Sequence, residues 1–313
     1  MKKYNLLTIT GPTASGKTAF AANMASLLGG EIISADSRQV YRRMDIGTGK
    51  DYNDYEIDGR TVPFHLIDIH DPGYKYNVFE FQQDFLNLFH DINNRDRIPI
   101  LAGGTGMYIE AVLKGYDLID VPNNENLRKD LESSTQEELV EILKSINPEL
   151  HNTTDTSHRE RTIRGIEIAH YQKEHPDKHR KWPKIESFIL GIKYDRQSRR
   201  KKISDRLKIR LKEGMIDEVR DLLKEVDADS LIFYGLEYKF LTLYVTGEIS
   251  YDDMCSQLEI AIHQFAKRQM TWFRKMERNG IEIHWIDGHL KMEEKIERTY
   301  ELFSTYDVKF NID

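Results

Sequence analysis

Residues Gly11-Pro12-Thr13-Ala14-Ser15-Gly16-Lys17-Thr18 match G-x-x-x-x-G-K-[ST] in full, the spacing of a phosphate-binding loop. Glycines let such a loop curl until successive N–H groups point at phosphate oxygens. A helix starting there adds the positive end of its dipole. Lys17 is then placed to reach the outer phosphate, and the Thr18 hydroxyl to ligate Mg²⁺. The loop implies a diphosphate; it does not by itself imply ATP. Triphosphate chemistry would want a further acid at a strand end, which Asp68 could supply, or Asp68 could be an ordinary strand terminus. Asp36 is a second candidate, just past an apolar run at the sheet edge where ligands of parallel α/β folds sit. A carboxylate there can accept a proton or orient a donor. By spacing alone, a helix N-cap is the plainer reading of Asp36.

These residues need a frame. Leu6–Thr10, Glu31–Ser34, Phe64–Asp68 and Pro99–Ala102 read as short buried strands, with a helix over Ala19–Leu28 closed by Gly29-Gly30. Strand, glycine loop, helix, strand is a βαβ unit. Glycine is concentrated early, 12 of 19 in the first 115 residues, so the remainder is expected to be helix-rich. Helical patterns cover Asn126–Ser133 and Gln136–Ser145, the second led by Ser133, Ser134 and Thr135 as candidate caps. Phe188–Tyr194 reads as a strand that rejoins the sheet, and Ile281–Ile286 as a last one. Long amphipathic helices are expected over Ser198–Val226 and Asp252–Lys275, with capping-box spacing from Ser250 to Asp253. The expected fold class is α/β: a P-loop NTPase-like parallel sheet core, residues 1–115 and 186–313, with a mostly helical insertion over 116–185.

Composition sets limits. The chain of 313 residues has 39% hydrophobic residues, enough for a sizeable core and too many for a disordered chain. No run nears 18 apolar residues, and MKKYNLLTITGP reads as a strand, not a signal peptide. A soluble, cytoplasmic protein is expected. The single cysteine, Cys255, excludes an internal disulfide and reads as a small buried hydrophobe on a helix. Four histidines within 158–179 have no tetrahedral metal spacing and read as solvated. The net charge of −7 argues against a protein that coats nucleic acid indiscriminately.

GPTASGKT, GGEIISADSRQVYRRMDIGTGK, HLIDI and ILAGGTGMYIEAVL together resemble the tRNA dimethylallyltransferase family. RTIRGIEI, EGMIDEV, GEISYDDM and QFAKRQMTWFRK resemble the same family in the same order, so the likeness runs from about residue 5 to 287. The resemblance implies transfer of a dimethylallyl group from dimethylallyl diphosphate to N6 of the adenosine at position 37 of tRNA, beside the anticodon. It implies Mg²⁺ as cofactor and the tRNA anticodon loop as partner; no membrane and no obligate protein partner are evident.

Residue by residue, Asp36 matches the family's proton acceptor, Thr105 a threonine near the reacting groups, and Arg206 an arginine facing the diphosphate. By themselves Thr105 reads as a helix N-cap after a glycine turn and Arg206 as a solvated helix charge. Ser37, Arg38, Gln39, Arg128, Glu160, Arg161, Arg164, Gln264, Lys267, Arg268 and Gln269 match tRNA-contacting positions, as do Asp36 and Thr105. There are departures. Glu160 replaces a usual Gln, Gly235-Leu236-Glu237-Tyr238 replaces Gly-Tyr-Lys-Glu, and Ile262-His263 replaces Thr-Arg. The stretch Tyr171–Lys184 is an unusually charged linker. These bear on RNA binding more than on chemistry. Competing readings are prenylation of a free adenine nucleotide, a P-loop kinase or ATPase, and an inactive RNA-binding paralogue.

The acidic average also hides a local excess: residues 158–212 hold 18 Lys or Arg against 7 Asp or Glu. That is the footprint expected of a selective RNA enzyme.

Overall fold

Short apolar runs separated by glycine loops fold as parallel strands, because only burial on both faces repays so continuous a hydrophobic pattern. A computed structural model describes residues 2–148, 156, 158–175, 177 and 181–310. Its sheet comprises β1 (Leu6–Thr10), β2 (Glu31–Ser34), β3 (Phe64–His65), β4 (Pro99–Gly103), β5 (Ser187–Lys193) and β6 (His284–Asp287). The order is β3-β2-β4-β1-β5-β6, and every pairing is parallel. Register sets Thr10 beside both Gly103 and Gly191, so the loops leaving β1 and β4 start level at one edge. This is a P-loop NTPase-like core.

The helix Lys17–Leu28 lays Phe20, Ala21, Met24 and Ala25 on Leu7, Ile9, Ile32, Ile100 and Leu190. The alternate strand residues Leu6, Ile33, Leu101 and Ile189 are buried too, so both sheet faces are covered. Helix Val78–Asn94 opens with a reciprocal capping box between Asn77 and Glu80 and buries Phe81, Phe85 and Phe89. A separate parallel pair, Lys2–Tyr4 with Val308–Phe310, was not foreseen in the sequence.

Several boundaries differ from expectation for local reasons. The third strand stops at His65 instead of Asp68, because Leu66 and Asp68 take φ of 62° and 55°. The expected Ser198–Val226 helix is two, Arg196–Lys212 and Met215–Leu222, parted at Gly214 with φ 102°. The last strand of the six-stranded sheet begins at His284, three residues later than the pattern suggested. Helix Tyr251–Arg278 starts at a Ser250 cap whose Oγ accepts from the Asp253 N–H at 3.1 Å. Cys255 lies on it half-buried, not fully buried as expected. No described helix is long and apolar enough to cross a membrane.

Contacts between Cα atoms divide the chain into two compact units, Met1–Gly115 with Lys184–Asp313, and Tyr116–Pro183. The smaller unit carries helices Glu125–Asp130, Gln136–Ile146 and Arg159–Glu174 around Leu131, Leu139, Leu143, Ile163 and Ile166. Thr135 caps the second of these in a full capping box with Glu138. The third reaches Glu174, so the first residues of the expected Tyr171–Lys184 linker are helical, and His175 stacks on Tyr171 at 4.1 Å. His179 lies outside the described residues. Glu167 ties this unit: its buried carboxylate takes Arg128 Nε at 2.7 Å, Arg164 Nη1 at 2.9 Å and the Asn124 N–H at 2.9 Å.

Although burial works the other way, Arg128, Asn124 and Arg164 hold Glu167 down to about 2, from an ordinary value of 4.5. Its stabilisation is therefore complete above about pH 4.5 and disappears as pH falls towards 2. Glu167→Gln should lower stability at pH 7 by about 1–3 kcal/mol, since it leaves two half-exposed arginines without their acid. Thermal unfolding of both proteins should show that difference shrinking below about pH 4.5.

Candidate active site

The phosphate loop is curled by two left-handed residues, Ala14 at φ 60° and Gly16 at φ 74°. Glycine takes that conformation freely, whereas alanine does so at a cost. Gly16 caps Lys17–Leu28 with no side-chain acceptor over the helix N–H groups. The Ser15 hydroxyl is buried and makes no hydrogen bond among the described residues. An unpartnered donor and a bare helix terminus at one place suit an anion.

The next loops are stitched to each other. Gly103 approaches Ala35 so closely that a Cβ would strike the Ala35 carbonyl. The Ala35 N–H donates to Ala102 O at 2.7 Å, and the Thr105 N–H to Ala35 O at 3.2 Å. Thr105 stands at the cap position of helix Gly106–Lys114, yet its hydroxyl does not cap it; Oγ1 accepts from the Ser37 N–H at 3.3 Å. No helix follows Asp36 either. Its Oδ1 accepts from the Arg38 N–H at 2.9 Å, a tight Asx turn that leaves the carboxylate half-buried. Both cap readings are thereby corrected. Asp36, Lys17 and Thr18 line one cavity, with Ser34, Gln39 and Gly103.

A second cavity is lined by Thr13, Arg206, Arg210, Glu237 and the apolar Ile203, Leu207 and Met215. Arg206 is not a solvated charge: it is half-buried and donates from Nη2 to Thr13 Oγ1 at 3.0 Å. Burial and the neighbouring Arg210 guanidinium bring it down to about 10, against Glu237, Asp51 and Asp36. It stays cationic at neutral pH. Arg210, which the sequence reading passed over, is buried and bonds both Asp51 carboxylate oxygens at 3.1 and 3.2 Å. Lys17 is also lowered, by burial first, with Asp36 opposing and Arg206 and Arg210 adding.

Two residues expected to contact RNA also have structural work. Gln269 is buried; Oε1 accepts the Thr13 N–H at 2.9 Å and Nε2 donates to Gly104 O at 3.0 Å, locking two loops together. Gln39 is buried as well, donating from Nε2 to Gly49 O at 3.0 Å. Glu218, in the EGMIDEV segment, accepts the N–H groups of Asp45, Ile46 and Gly47 at 2.8, 2.7 and 3.0 Å. It also accepts the Tyr238 hydroxyl at 2.7 Å. Asp68 is engaged within the fold: its oxygens face buried Lys50 Nζ and the Tyr52 hydroxyl. Ser37 and Arg38 are half-buried, Arg38 lying 5.6 Å from the exposed Phe233 ring. Gln264, Lys267 and Arg268 are exposed and line an open groove along helix Tyr251–Arg278, continued by Lys275 and Arg278.

Comparison with known proteins decides the family. A family model described as IPP transferase matches residues 39–276. The chain belongs to the IPP transferase family. A model described as isopentenyl transferase matches residues 4–66. Among relatives, the tRNA dimethylallyltransferase 1 of Parabacteroides distasonis is 60% identical, covering 97% of this chain and 99% of its own. The tRNA dimethylallyltransferase 2 of Phocaeicola vulgatus is 57% identical over 97% and 99%. The solved full-length tRNA isopentenylpyrophosphate transferase of Bacillus halodurans superposes with a TM-score of 0.71 at 32% identity, covering 97% and 96%. Membership makes the chain a transferase.

The insertion unit of this IPP transferase holds the remaining candidates. Arg128 and Arg164 are engaged by Glu167, and Arg164 Nη2 also donates to Val121 O at 2.5 Å. Glu160 is exposed and lies 3.5 Å from Arg128 Nη1, so its charge is balanced within the unit; Arg161 is exposed. Within the core of the IPP transferase, Gln269→Leu should cost about 1–3 kcal/mol, because it orphans the Thr13 N–H and the Gly104 carbonyl. Urea unfolding should show an earlier midpoint with an unchanged slope.

Proposed function

We propose that this protein transfers a dimethylallyl group from dimethylallyl diphosphate to N6 of the adenosine at position 37 of tRNA. One observation carries the reading: Asp36 shares a cavity with Lys17 and Thr18, so a proton acceptor and a diphosphate grip face one reaction space. The adenine amine is a poor nucleophile because its lone pair is delocalised into the ring. Asp36 orients it and accepts its proton as N6 bonds to the allylic carbon. The carbon–oxygen bond breaks, and its electron pair leaves with the diphosphate. Loop N–H groups, Lys17 and Arg206 stabilise the charge that grows on the leaving oxygens. Thr105 acts beside them by holding the Ser37 N–H and hence the Asp36 turn. The hard oxygen donors of the first cavity suit a divalent cation, and Thr18 would hold Mg²⁺ there. Such an ion neutralises charge on the leaving diphosphate.

The target base must leave the anticodon-loop stack to reach the sheet edge. Ser37 and Arg38 beside Asp36, and Gln264, Lys267 and Arg268 on the groove, are assigned to tRNA. In the smaller unit, Tyr116–Pro183, Arg161 is exposed and can meet phosphate, and Arg128 and Arg164 are held in a fixed array by Glu167. Gln39 and Gln269 are assigned to shaping the site, not to touching RNA.

The test is incubation with dimethylallyl diphosphate and unmodified tRNA, followed by mass analysis of nucleosides. N6-prenylated adenosine is expected. ATP consumption without it would favour a kinase, prenylated free nucleotide an adenylate enzyme, and tRNA binding alone an inactive paralogue. Asp36→Ala should cut transfer at least about 100-fold while pyrophosphate binding, read by calorimetry, stays close to wild type. Loss of folding instead would make Asp36 chiefly a turn residue.

A further inference from the structure

The second cavity contains an acid that the reaction above does not use. Glu237 lies in the first turn of helix Leu236–Val245 and lines the cavity with Thr13, Arg206 and Arg210. The other charged groups there are engaged, Arg206 with Thr13 and Arg210 with Asp51. Among the described residues, the Glu237 carboxyl takes a hydrogen bond only from its own backbone N–H and makes no ion pair. A half-buried carboxylate without a touching cation is costly, and here it shares a cavity with two guanidiniums. Burial raises its proton affinity, while Arg206 and Arg210 oppose that shift.

We propose that Glu237 sets how tightly the phosphate loop holds a diphosphate, acting as an internal anion that competes for Arg206 and Arg210 and keeps the product releasable. The proposal rests on the reading of the phosphate loop as a diphosphate site. Loop N–H groups and Lys17, with Arg206 held on the loop through Thr13, would grip a free diphosphate strongly, since opposite charges attract far more in a partly dry site than in water. Grip shared equally by substrate and product does not speed chemistry, and it delays release. Glu237 works through the arginines and is therefore a positioning residue.

Calorimetry with inorganic pyrophosphate reads the effect without RNA. Glu237→Gln, near-isosteric and uncharged, should bind pyrophosphate about tenfold tighter, the scale of one like-charge contact in a partly screened site. Glu237→Asp should stay near wild type. In transfer assays, Glu237→Gln should lower both KM for dimethylallyl diphosphate and multiple-turnover kcat, with the single-turnover rate unchanged. Unchanged or weaker pyrophosphate affinity in Glu237→Gln overturns the proposal, as does failure of that variant to fold. If the wild-type enzyme binds no pyrophosphate, the diphosphate reading itself has failed; if it does and the variant binds no tighter, only the role of Glu237 has.

Discussion

The loop leaving β4 touches the loop leaving β2 with no side chain between them. Gly103 abuts the Ala35 carbonyl, and the backbone bonds from Ala35 to Ala102 and from Thr105 to Ala35 are possible only at that separation. From this contact follow the position of Asp36, the use of Thr105 Oγ1 as an acceptor for Ser37, and the floor of the cavity that Lys17 and Thr18 share. A methyl group at residue 103 would push the two loops apart. The carboxylate would then no longer face the phosphate loop.

Much of this was legible in the sequence, and what was missed has physical causes. The phosphate loop is local: eight consecutive residues specify its curl, and the strand before it and helix after it stand where expected. Asp36, Thr105 and Arg206 could be placed at the site only by family resemblance, because each residue type also serves as a cap or a surface charge. The structure separates those roles by partner: a turn N–H for Asp36, a distant N–H for Thr105, a loop hydroxyl for Arg206. The loop-joining bonds of Gln269 and Gln39 were missed for a related reason. An amide that joins two loops has no local pattern, since its partners at Thr13 and Gly104 lie far away in the chain. The third strand and the helix expected over Ser198–Val226 were cut short where left-handed residues, Leu66 and Gly214, interrupted a pattern that hydrophobic spacing alone would have continued.

The site's electrostatics rest on crowding cations and then balancing them. Arg206 and Arg210 both act on Lys17, and Arg210 on Arg206; Asp36 and Asp51 offset them at Lys17, joined by Glu237 at Arg206. Arg210 takes Asp51 directly and so keeps its guanidinium fixed beside Arg206. The basic excess of residues 158–212 is thus not a single feature. Part of it faces inward from helix Arg196–Lys212, and part belongs to helix Arg159–Glu174 in the other compact unit.

The Glu218 carboxylate, which gathers the N–H groups of Asp45, Ile46 and Gly47, has a consequence for the order in which the molecule is made. The turn it holds is synthesised more than a hundred residues before its clamp, and the Gln269 lock on the phosphate loop arrives later still. Contacts of such long sequence separation form late, after loop-closure entropy has been overcome. A growing chain on the ribosome therefore displays the phosphate loop and Asp36 long before either is held in working geometry. The enzyme gains its reaction space only when its last third folds back onto its first.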